Sequence, residues 1–111
     1  MLRALSLLEA RVLGVLVEKE RTVPDSYPLT LNALVAGCNQ KSSRDPVLNA
    51  AETDVRSVDG LKSMLLAIER SGERVARYAH NVERMMDVPQ QAAALLAVLM
   101  LRGRRRPANF A

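Results

Sequence analysis

Apolar side chains recur at helical spacing near the start of the chain and predict a first helix over residues 7–20. Ser6 and Glu9 have the spacing of a capping box, in which each side chain satisfies a backbone N–H at the helix start. Gly14 weakens this helix by about 1 kcal/mol relative to alanine, so we expect another helix to pass close to it. The apolar stripe consists of Leu8, Val12, Val15 and Leu16.

A second, shorter apolar face is followed by a run of polar residues. The spacing predicts a helix over residues 31–39, with Thr30 as the N-cap whose hydroxyl accepts a bond from a first-turn N–H. Its apolar face is formed by Leu31, Leu34, Val35 and Cys38. Seven polar residues, 39–45, then precede Pro46. This pattern fits a solvated loop, a brace between two helices or a binding surface. The candidate surface residues are Asn32, Asn39, Gln40, Lys41 and Arg44.

The middle of the chain changes from helical to strand-like spacing. A third helix is expected over residues 50–62, with Asn49 and Glu52 resembling a capping box at its start. Residues 64–68 and 75–82 then predict the two strands of a hairpin. Three helices followed by a hairpin is the element order of a winged helix-turn-helix. The predicted fold class is therefore α+β and mostly helical.

Residues 89–102 predict a last helix that is apolar on all sides. Pro89 suits its first turn, where a missing N–H does no harm, and Gly103 can close it. A helix that is apolar all round must be buried against something, so we expect this segment either to form a homodimer or to fold back on the domain. The apolar run is shorter than the roughly 20 residues needed to span a bilayer, so no membrane association is expected.

Composition narrows the class of protein. The chain has 111 residues, of which 49% are hydrophobic and only 3% aromatic, so one aliphatic, helical core is expected. The single cysteine, Cys38, excludes an intrachain disulfide and a cysteine zinc cluster. Together with the absence of a recognisable signal peptide, it predicts a cytoplasmic protein.

The net charge of +4 comes from one end of the chain. Residues 1–88 contain 12 basic and 12 acidic side chains and are neutral overall. The excess consists of Arg102, Arg104, Arg105 and Arg106. The net positive charge therefore favours a nucleic-acid partner only if the C-terminal segment that carries it is a functional element.

Catalytic and metal-binding patterns are absent from the sequence. His80, the single histidine, falls on the second predicted strand, where a structural role is expected, and Cys38 belongs to the apolar face of a helix. Acidic residues show no metal-ligand spacing, and no glycine-rich phosphate loop is present. We expect no enzyme activity, no cofactor, no metal and no small-molecule substrate.

Nucleic-acid binding is the strongest functional prediction. In a helix-turn-helix the second helix of the motif enters the major groove, and here that helix, 50–62, has a net charge of −1. This charge opposes strong DNA binding, whereas the hairpin region 70–84 has a net charge of +2, although its arginines could simply solvate the hairpin. The alternative is a protein-interaction module that uses the same fold without DNA. The candidate nucleic-acid contacts are Thr53, Arg56, Ser57, Lys62, Arg74 and Arg77.

The block YPLTLNALVAGCNQKSSRDPV, residues 27–47, resembles the signature of the YceH-like family, a set of uncharacterised bacterial winged-helix proteins. The flanking stretches LSLLEARVLGVLVEKE and SGERVARYAHNVERMMDVPQQAAALLAVLMLRG agree with it. The resemblance implies a winged-helix domain over 1–87, of the kind found in transcription regulators, followed at 88–103 by the first helix of an incomplete second one.

The resemblance also bears on residues 104–111. The family pattern continues approximately PQTPGELR after LMLRG, whereas this chain has RRRPANFA. One DNA sequence that encodes this family stretch gives the sequence of the present chain when its translation starts one base later. We therefore hypothesise that 104–111 is a frameshift product, in which case the arginine run is not a nucleic-acid arm.

Overall fold

The computed structural model describes residues 6–56, 67–70 and 77–102, and for 67–70 it describes the backbone. The described part has a mostly helical α+β architecture, as predicted. Its elements are α1 (Leu7–Thr22), a 3₁₀ turn (Pro24–Ser26), β1 (Leu29–Thr30), α2 (Leu31–Cys38), α3 (Glu52–Arg56), β2 (Ala67–Arg70), β3 (Arg77–His80), α4 (Val82–Met86) and α5 (Gln90–Arg102). Within these residues, no helix combines the length and the apolar composition needed to cross a membrane.

The starts of α1 and α2 follow from local capping. The Ser6 hydroxyl accepts a bond from the backbone N–H of Glu9, and the Glu9 carboxylate accepts one from the N–H of Ser6, at 3.1 and 2.9 Å. The Thr30 hydroxyl likewise accepts a bond from the N–H of Ala33 at 3.2 Å. Each bond satisfies a backbone N–H that has no hydrogen-bond partner within the helix, so both predicted caps are confirmed.

Helix α5 packs across α1 at Gly14, where the sequence predicted a close helix neighbour. A Cβ atom placed on Gly14 would lie 2.9 Å from two side-chain carbons of Leu101, closer than unbonded carbons normally approach. Ala93, Ala97 and Leu101 are buried on this inner face of α5. The helix thus folds back on the domain, one of the two expected alternatives, while its opposite face, which carries Leu95 and Leu99, is exposed in the described structure.

The three strands form one antiparallel sheet in the order β1-β3-β2. Leu29 of β1 pairs with Tyr78 of β3, and Glu69 of β2 pairs with the other side of the same residue. The predicted hairpin is confirmed, although its second strand ends at His80, because residues 82–86 form α4 instead. Residues 64–66 and 71–76 lie outside the described part of the chain.

Helix α3 begins two residues later than predicted, and the predicted capping box of Asn49 and Glu52 is wrong. The backbone N–H and C=O of Ala50 are both bonded to the side chain of Asn39, which holds this residue outside the helix. The N–H of Ala51 instead donates to the Asp54 carboxylate at 3.1 Å. Residues 57–66 lie outside the described residues.

The core lies where α1 packs against α2, α5 and the sheet. It is aliphatic apart from Tyr78 and Cys38, as composition predicted. Its buried members are Val12, Leu13, Val15, Leu16, Val17, Leu29, Leu34, Cys38, Val55, Tyr78, Val82, Ala93, Ala97 and Leu101.

Candidate nucleic-acid interface

The segment between α2 and α3, residues 39–50, is held at both ends; we call it the 39–50 loop. Asn39 ends α2, and its amide spans the loop to bind the backbone of Ala50. The Asn39 amide nitrogen donates to the Ala50 carbonyl at 2.9 Å, and the Ala50 N–H donates to the amide oxygen at 2.7 Å. In the middle of the loop, the N–H of Asp45 donates to the carbonyl of Leu101 at the end of α5. The loop is thereby fixed to two different helices.

Arg44 anchors the loop from inside. Its side chain is fully buried, and its guanidinium makes a two-bond fork with the carboxylate of Glu18, at 2.8 and 3.2 Å. The Arg44 Nε donates to the carbonyl of Gly37 at 3.0 Å, where α2 ends. Burial by itself would raise the pKa of Glu18, but the hydrogen bonds and charge of Arg44, helped by Lys19, hold it below its ordinary value of 4.5.

Arg11 is a second buried cation beside the loop. It projects from α1, is 0% exposed, and donates to the carbonyls of Cys38, at 2.9 Å, and of Pro46. Its Nε is buried and has no hydrogen-bond partner among the described residues. Burial lowers the pKa of Arg11, and the nearby charge of Arg44 lowers it further. Arg11 was not among the predicted site residues, although its place on the apolar stripe of α1, four residues before Val15, indicated a buried position.

The candidate surface therefore divides into buried braces and exposed groups. Arg44 is buried, which fits the brace alternative and not a binding surface: its donors are used by Glu18 and by backbone carbonyls. Asn39 is half-buried and likewise braces the loop. Gln40 accepts a bond from Lys19 Nζ at 3.1 Å and donates to the carbonyl of Ser42. The exposed members are Asn32 and Lys41.

Two of the predicted nucleic-acid contacts lie on α3. Thr53 and Arg56 are both exposed, whereas Val55 is buried and holds the helix to the core. The Arg56 guanidinium lies 3.0 Å from the Glu52 carboxylate, one turn earlier, in a pair whose side chains are both more than half exposed. The predicted contacts Ser57, Lys62 and Arg74 fall outside the described residues.

Arg77, the remaining predicted contact, is tied to the sheet. It begins β3 opposite Thr30, is half-buried, and donates to the carbonyl of Pro28 at 3.0 Å. That bond connects β3 to the segment leading into β1. Replacing Arg77 would therefore disturb the sheet as well as any phosphate contact.

His80, Glu20 and Glu83 form the one group among the described residues that has metal-ligand chemistry, with potential ligand atoms within 4.8 Å of one another. Both ring nitrogens of His80 are already engaged. Nδ1 lies 3.1 Å from the N–H of Val82, which can only donate, so Nδ1 accepts and Nε2 carries the proton. Nε2 then donates to Glu20 at 2.7 Å. The arrangement links the end of α1 to the start of α4, in keeping with the structural role expected for His80.

Comparison with known proteins identifies the family of the chain. The family model described as "Protein of unknown function, DUF480" matches residues 5–111. The chain belongs to the DUF480 family. It is similar to UPF0502 proteins of Burkholderia thailandensis (59% identical), Methylibium petroleiphilum (60%) and Paraburkholderia phytofirmans (59%), each over 110 residues. These matches cover 98% of this chain and 47% of each relative, so the chain spans about half the length of the curated relatives it matches.

The predicted resemblance to an uncharacterised bacterial family is thus confirmed. The description of the DUF480 family assigns no activity, so function has to be argued from the residues. Of the predicted contacts in the described part of this DUF480 chain, Thr53 and Arg56 are exposed on α3, and Lys41 is exposed in the 39–50 loop. The candidate interface consists of these three residues.

Proposed function

We propose that this DUF480 chain is a winged-helix domain that binds double-stranded DNA, in the manner of a bacterial transcription regulator. The observation that supports it best is the order of elements together with the sheet order. A short strand between the first two helices pairs with the second strand of the hairpin, which brings the hairpin beside the helical part. In helix-turn-helix proteins this layout presents the second helix of the motif to the major groove.

The exposed groups of α3 have the chemistry that such a contact requires. Thr53 carries a hydroxyl for phosphate or base edges, and Arg56 carries a guanidinium suited to phosphate or guanine. The ion pair of Arg56 with Glu52 is solvent-exposed and contributes only about 0.3–0.5 kcal/mol at this spacing, so a phosphate can compete for the arginine. Lys41 adds a second exposed cation.

The test is binding to a fluorescent random-sequence duplex over a series of salt concentrations. We expect measurable binding at about 50 mM salt that weakens steeply as salt rises. Arg56→Ala should lower the affinity and reduce the salt slope by about 1, whereas Arg21→Ala, which removes an exposed arginine from the end of α1, should leave both unchanged. No binding at low salt, or equal losses in the two variants, would contradict the proposal.

A protein partner is the second candidate, and a specific observation favours it. Arg77, a predicted nucleic-acid contact, donates to a backbone carbonyl, and Arg44 of the candidate surface is engaged with Glu18. The described part of α3 has two acidic side chains against one basic side chain. An interface of this charge suits a protein surface better than a polyanion. Absence of salt-dependent DNA binding would favour this candidate.

A further inference from the structure

His80 lies at the junction where β3 ends and α4 is about to begin. Its side chain is only 1% exposed, so the ring meets protein groups and little water. Nδ1 accepts a hydrogen bond from the N–H of Val82 at 3.1 Å, and Nε2 donates to the Glu20 carboxylate at 2.7 Å. A second carboxylate, that of Glu83, lies 3.8 Å from Nδ1. The ring therefore contacts α1 through one nitrogen and α4 through the other.

The bond to Val82 acts as the cap of α4. Asn81 occupies the N-cap position of this helix, but its side chain makes no capping bond within the described structure. Val82 is the first residue of the helix, and its N–H is one of the donors that a helix cannot satisfy internally. His80 Nδ1 is the acceptor for that N–H. Because α4 has five residues, little more than one turn, a single bond at its start is a large share of what holds it.

Protonation of the ring changes what this cap can do. A neutral imidazole has one donor and one acceptor nitrogen, whereas a protonated imidazole has two donors. With a proton on Nδ1, two N–H groups point at each other and the bond to Val82 is lost. The Glu83 carboxylate, 3.8 Å away, can accept from the new N–H after a small side-chain rotation. The bond of Nε2 to Glu20 becomes charge-assisted at the same time.

The charged groups around the ring give the protonated form its partners. Two carboxylates lie at the ring nitrogens, whereas β1 and α2, which pack against β3, contain no charged residue. Arg21 and Arg84, the arginines that follow these carboxylates in sequence, are exposed to solvent. The titratable or charged residues of the neighbouring elements are Glu20 and Arg21 of α1, Tyr27 before β1, Glu69 of β2, and Glu83 and Arg84 of α4.

Two of these neighbours leave the ring nitrogens alone. The hydroxyl of Tyr27 accepts from the backbone N–H of His80 at 2.7 Å, so it holds the strand and not the ring nitrogens. On β2, Ala67 is directly opposite His80, and Glu69 is two positions further along, paired with Tyr78. A protonated ring therefore has one carboxylate partner at each nitrogen.

The same geometry opposes a metal ion at this group. Histidine that binds a metal through one ring nitrogen normally donates an N–H from the other. A metal ion at Nε2 would place the ring proton on Nδ1, facing the N–H of Val82, and would displace the short bond to Glu20. The arrangement suits the gain and loss of a proton better than the binding of a metal.

We propose that His80 is a pH-operated switch at the junction of β3 and α4. The neutral ring caps α4 and joins that helix to the sheet. The protonated ring releases the Val82 N–H and is held by Glu20 and Glu83, so α1 stays joined to the sheet while the start of α4 loosens. Histidine ordinarily changes charge between about pH 5 and 8. Because α4 connects β3 to α5, the switch sets how firmly the sheet and α5 are joined.

The test is an NMR titration of the ¹⁵N-labelled chain from about pH 8 to about pH 5. His80 is the single histidine of the chain, so every imidazole signal reports on it. We expect the ring to carry its proton on Nε2 at the start and to gain a second proton on Nδ1 as pH falls. Over the same range, protection of the Val82 amide from hydrogen exchange, corrected for intrinsic rates, should fall at least about tenfold.

The Ala33 amide is the matched control within the same chain. It is also held at a helix start by a side-chain bond, but its acceptor, the Thr30 hydroxyl, does not titrate in this range. Its protection should therefore stay constant. The proposal is overturned if the ring starts with its proton on Nδ1 or stays neutral throughout. It is also overturned if the ring titrates without a change at Val82, or if Val82 and Ala33 lose protection equally.

Two variants separate the cap from the charge. His80→Asn retains an acceptor near the position of Nδ1 but cannot titrate, so protection of the Val82 amide should become independent of pH. Glu83→Gln retains the histidine but removes the carboxylate that faces the protonated Nδ1, so the change at Val82 should move to lower pH. A pH-dependent loss that persists in His80→Asn, or an unchanged midpoint in Glu83→Gln, would contradict the proposed switch. The titration of the unmodified chain decides the matter even if a variant fails to fold.

Discussion

The 39–50 loop and α3 are equally polar in sequence, but their side chains have opposite roles. In the loop, Asn39 and Arg44 turn inward and bind backbone groups and a carboxylate. On α3, Thr53 and Arg56 face solvent. The difference follows from the surroundings of the backbone: α3 lies at the surface, where water can reach its polar groups, whereas a loop packed against helices obtains partners from side chains. Polar residues beside buried irregular backbone should therefore be considered first as braces of that backbone, and only then as contacts to a ligand.

Among the tests of this comparison, the loss of the Arg44 side chain should have the largest effect on the free energy of unfolding. Arg44→Met removes the fork to Glu18 and the bond to the Gly37 carbonyl from a fully buried position. Removing one partner of a buried ion pair leaves the other poorly solvated, and we expect a loss of about 3 kcal/mol in the free energy of unfolding. Urea denaturation followed by circular dichroism measures it.

Arg56→Met is the matched control, because it removes the same side chain from an exposed pair. We expect a change of less than about 0.5 kcal/mol. Arg44→Met/Glu18→Gln should recover part of the loss, since no carboxylate is then left without its partner. Comparable effects of Arg44→Met and Arg56→Met would show that Arg44 is not a brace.

Two asparagines, one within α2 and one directly after it, provide the next comparison. Asn39→Ala removes both bonds to the backbone of Ala50 and leaves two polar groups to find other partners. We expect a loss of about 2 kcal/mol, at roughly 1 kcal/mol per hydrogen bond. Asn32→Ala, two turns earlier on the exposed side of the helix, should change stability by less than about 0.5 kcal/mol. Thermal unfolding of both variants shows whether the loss of stability depends on the position of the asparagine or only on the residue type.

Local features of the fold could be predicted from the sequence. The capping residues Ser6 and Thr30 lie within three residues of the groups they satisfy, so spacing reveals them. Gly14 indicated a close helix neighbour but not which helix it was. The start of α3 was missed because it depends on Asn39, eleven residues earlier. The five-residue α4 was missed because a segment this short gives no clear helical periodicity.

A brace was one of three alternatives for the loop, and the sequence could not decide among them because the partners are distant in sequence. Arg44 meets Glu18 across 26 positions, and Arg11 meets Cys38 across 27. The sequence pattern shows an arginine in a polar loop, but it does not show the half-buried carboxylate of Glu18 that faces it. The exposure of Thr53 and Arg56, by contrast, follows from local spacing, because they lie two residues before and one residue after the buried Val55.

Low pH should reduce the stabilising contribution of the ion pair in the 39–50 loop more than that of the pair on α3. The pKa of Glu18 lies below its ordinary value of 4.5, since the bonds and charge of Arg44 outweigh the opposing effect of burial. A lowered carboxyl pKa contributes stability that is fully present above the unfolded-state value and is lost as pH falls through the folded-state value. Stability should therefore decline as pH falls below 4.5. Glu18→Gln should lower stability at neutral pH and flatten this decline, as measured by urea denaturation from pH 6 to about 3.

The matched control for this pH dependence is Glu52→Gln, which removes a carboxylate from the exposed pair on α3. Its acid profile should stay closer to that of the unmodified chain than the profile of Glu18→Gln. If the two profiles coincide, the ion pair of Glu18 with Arg44 does not govern the acid response.

The smallest expected effect comes from within the loop itself. Gln40 lies between Asn39 and Arg44, and its amide bonds to Lys19 Nζ and to the carbonyl of Ser42. Its bond to Ser42 is exposed, so water can replace it, and we expect Gln40→Ala to change the free energy of unfolding by less than about 0.5 kcal/mol. Urea denaturation beside Asn39→Ala gives the comparison. A loss as large as that of Asn39→Ala would mean that polar contacts anywhere in the loop stabilise it, and burial of the backbone would no longer explain which residues act as braces.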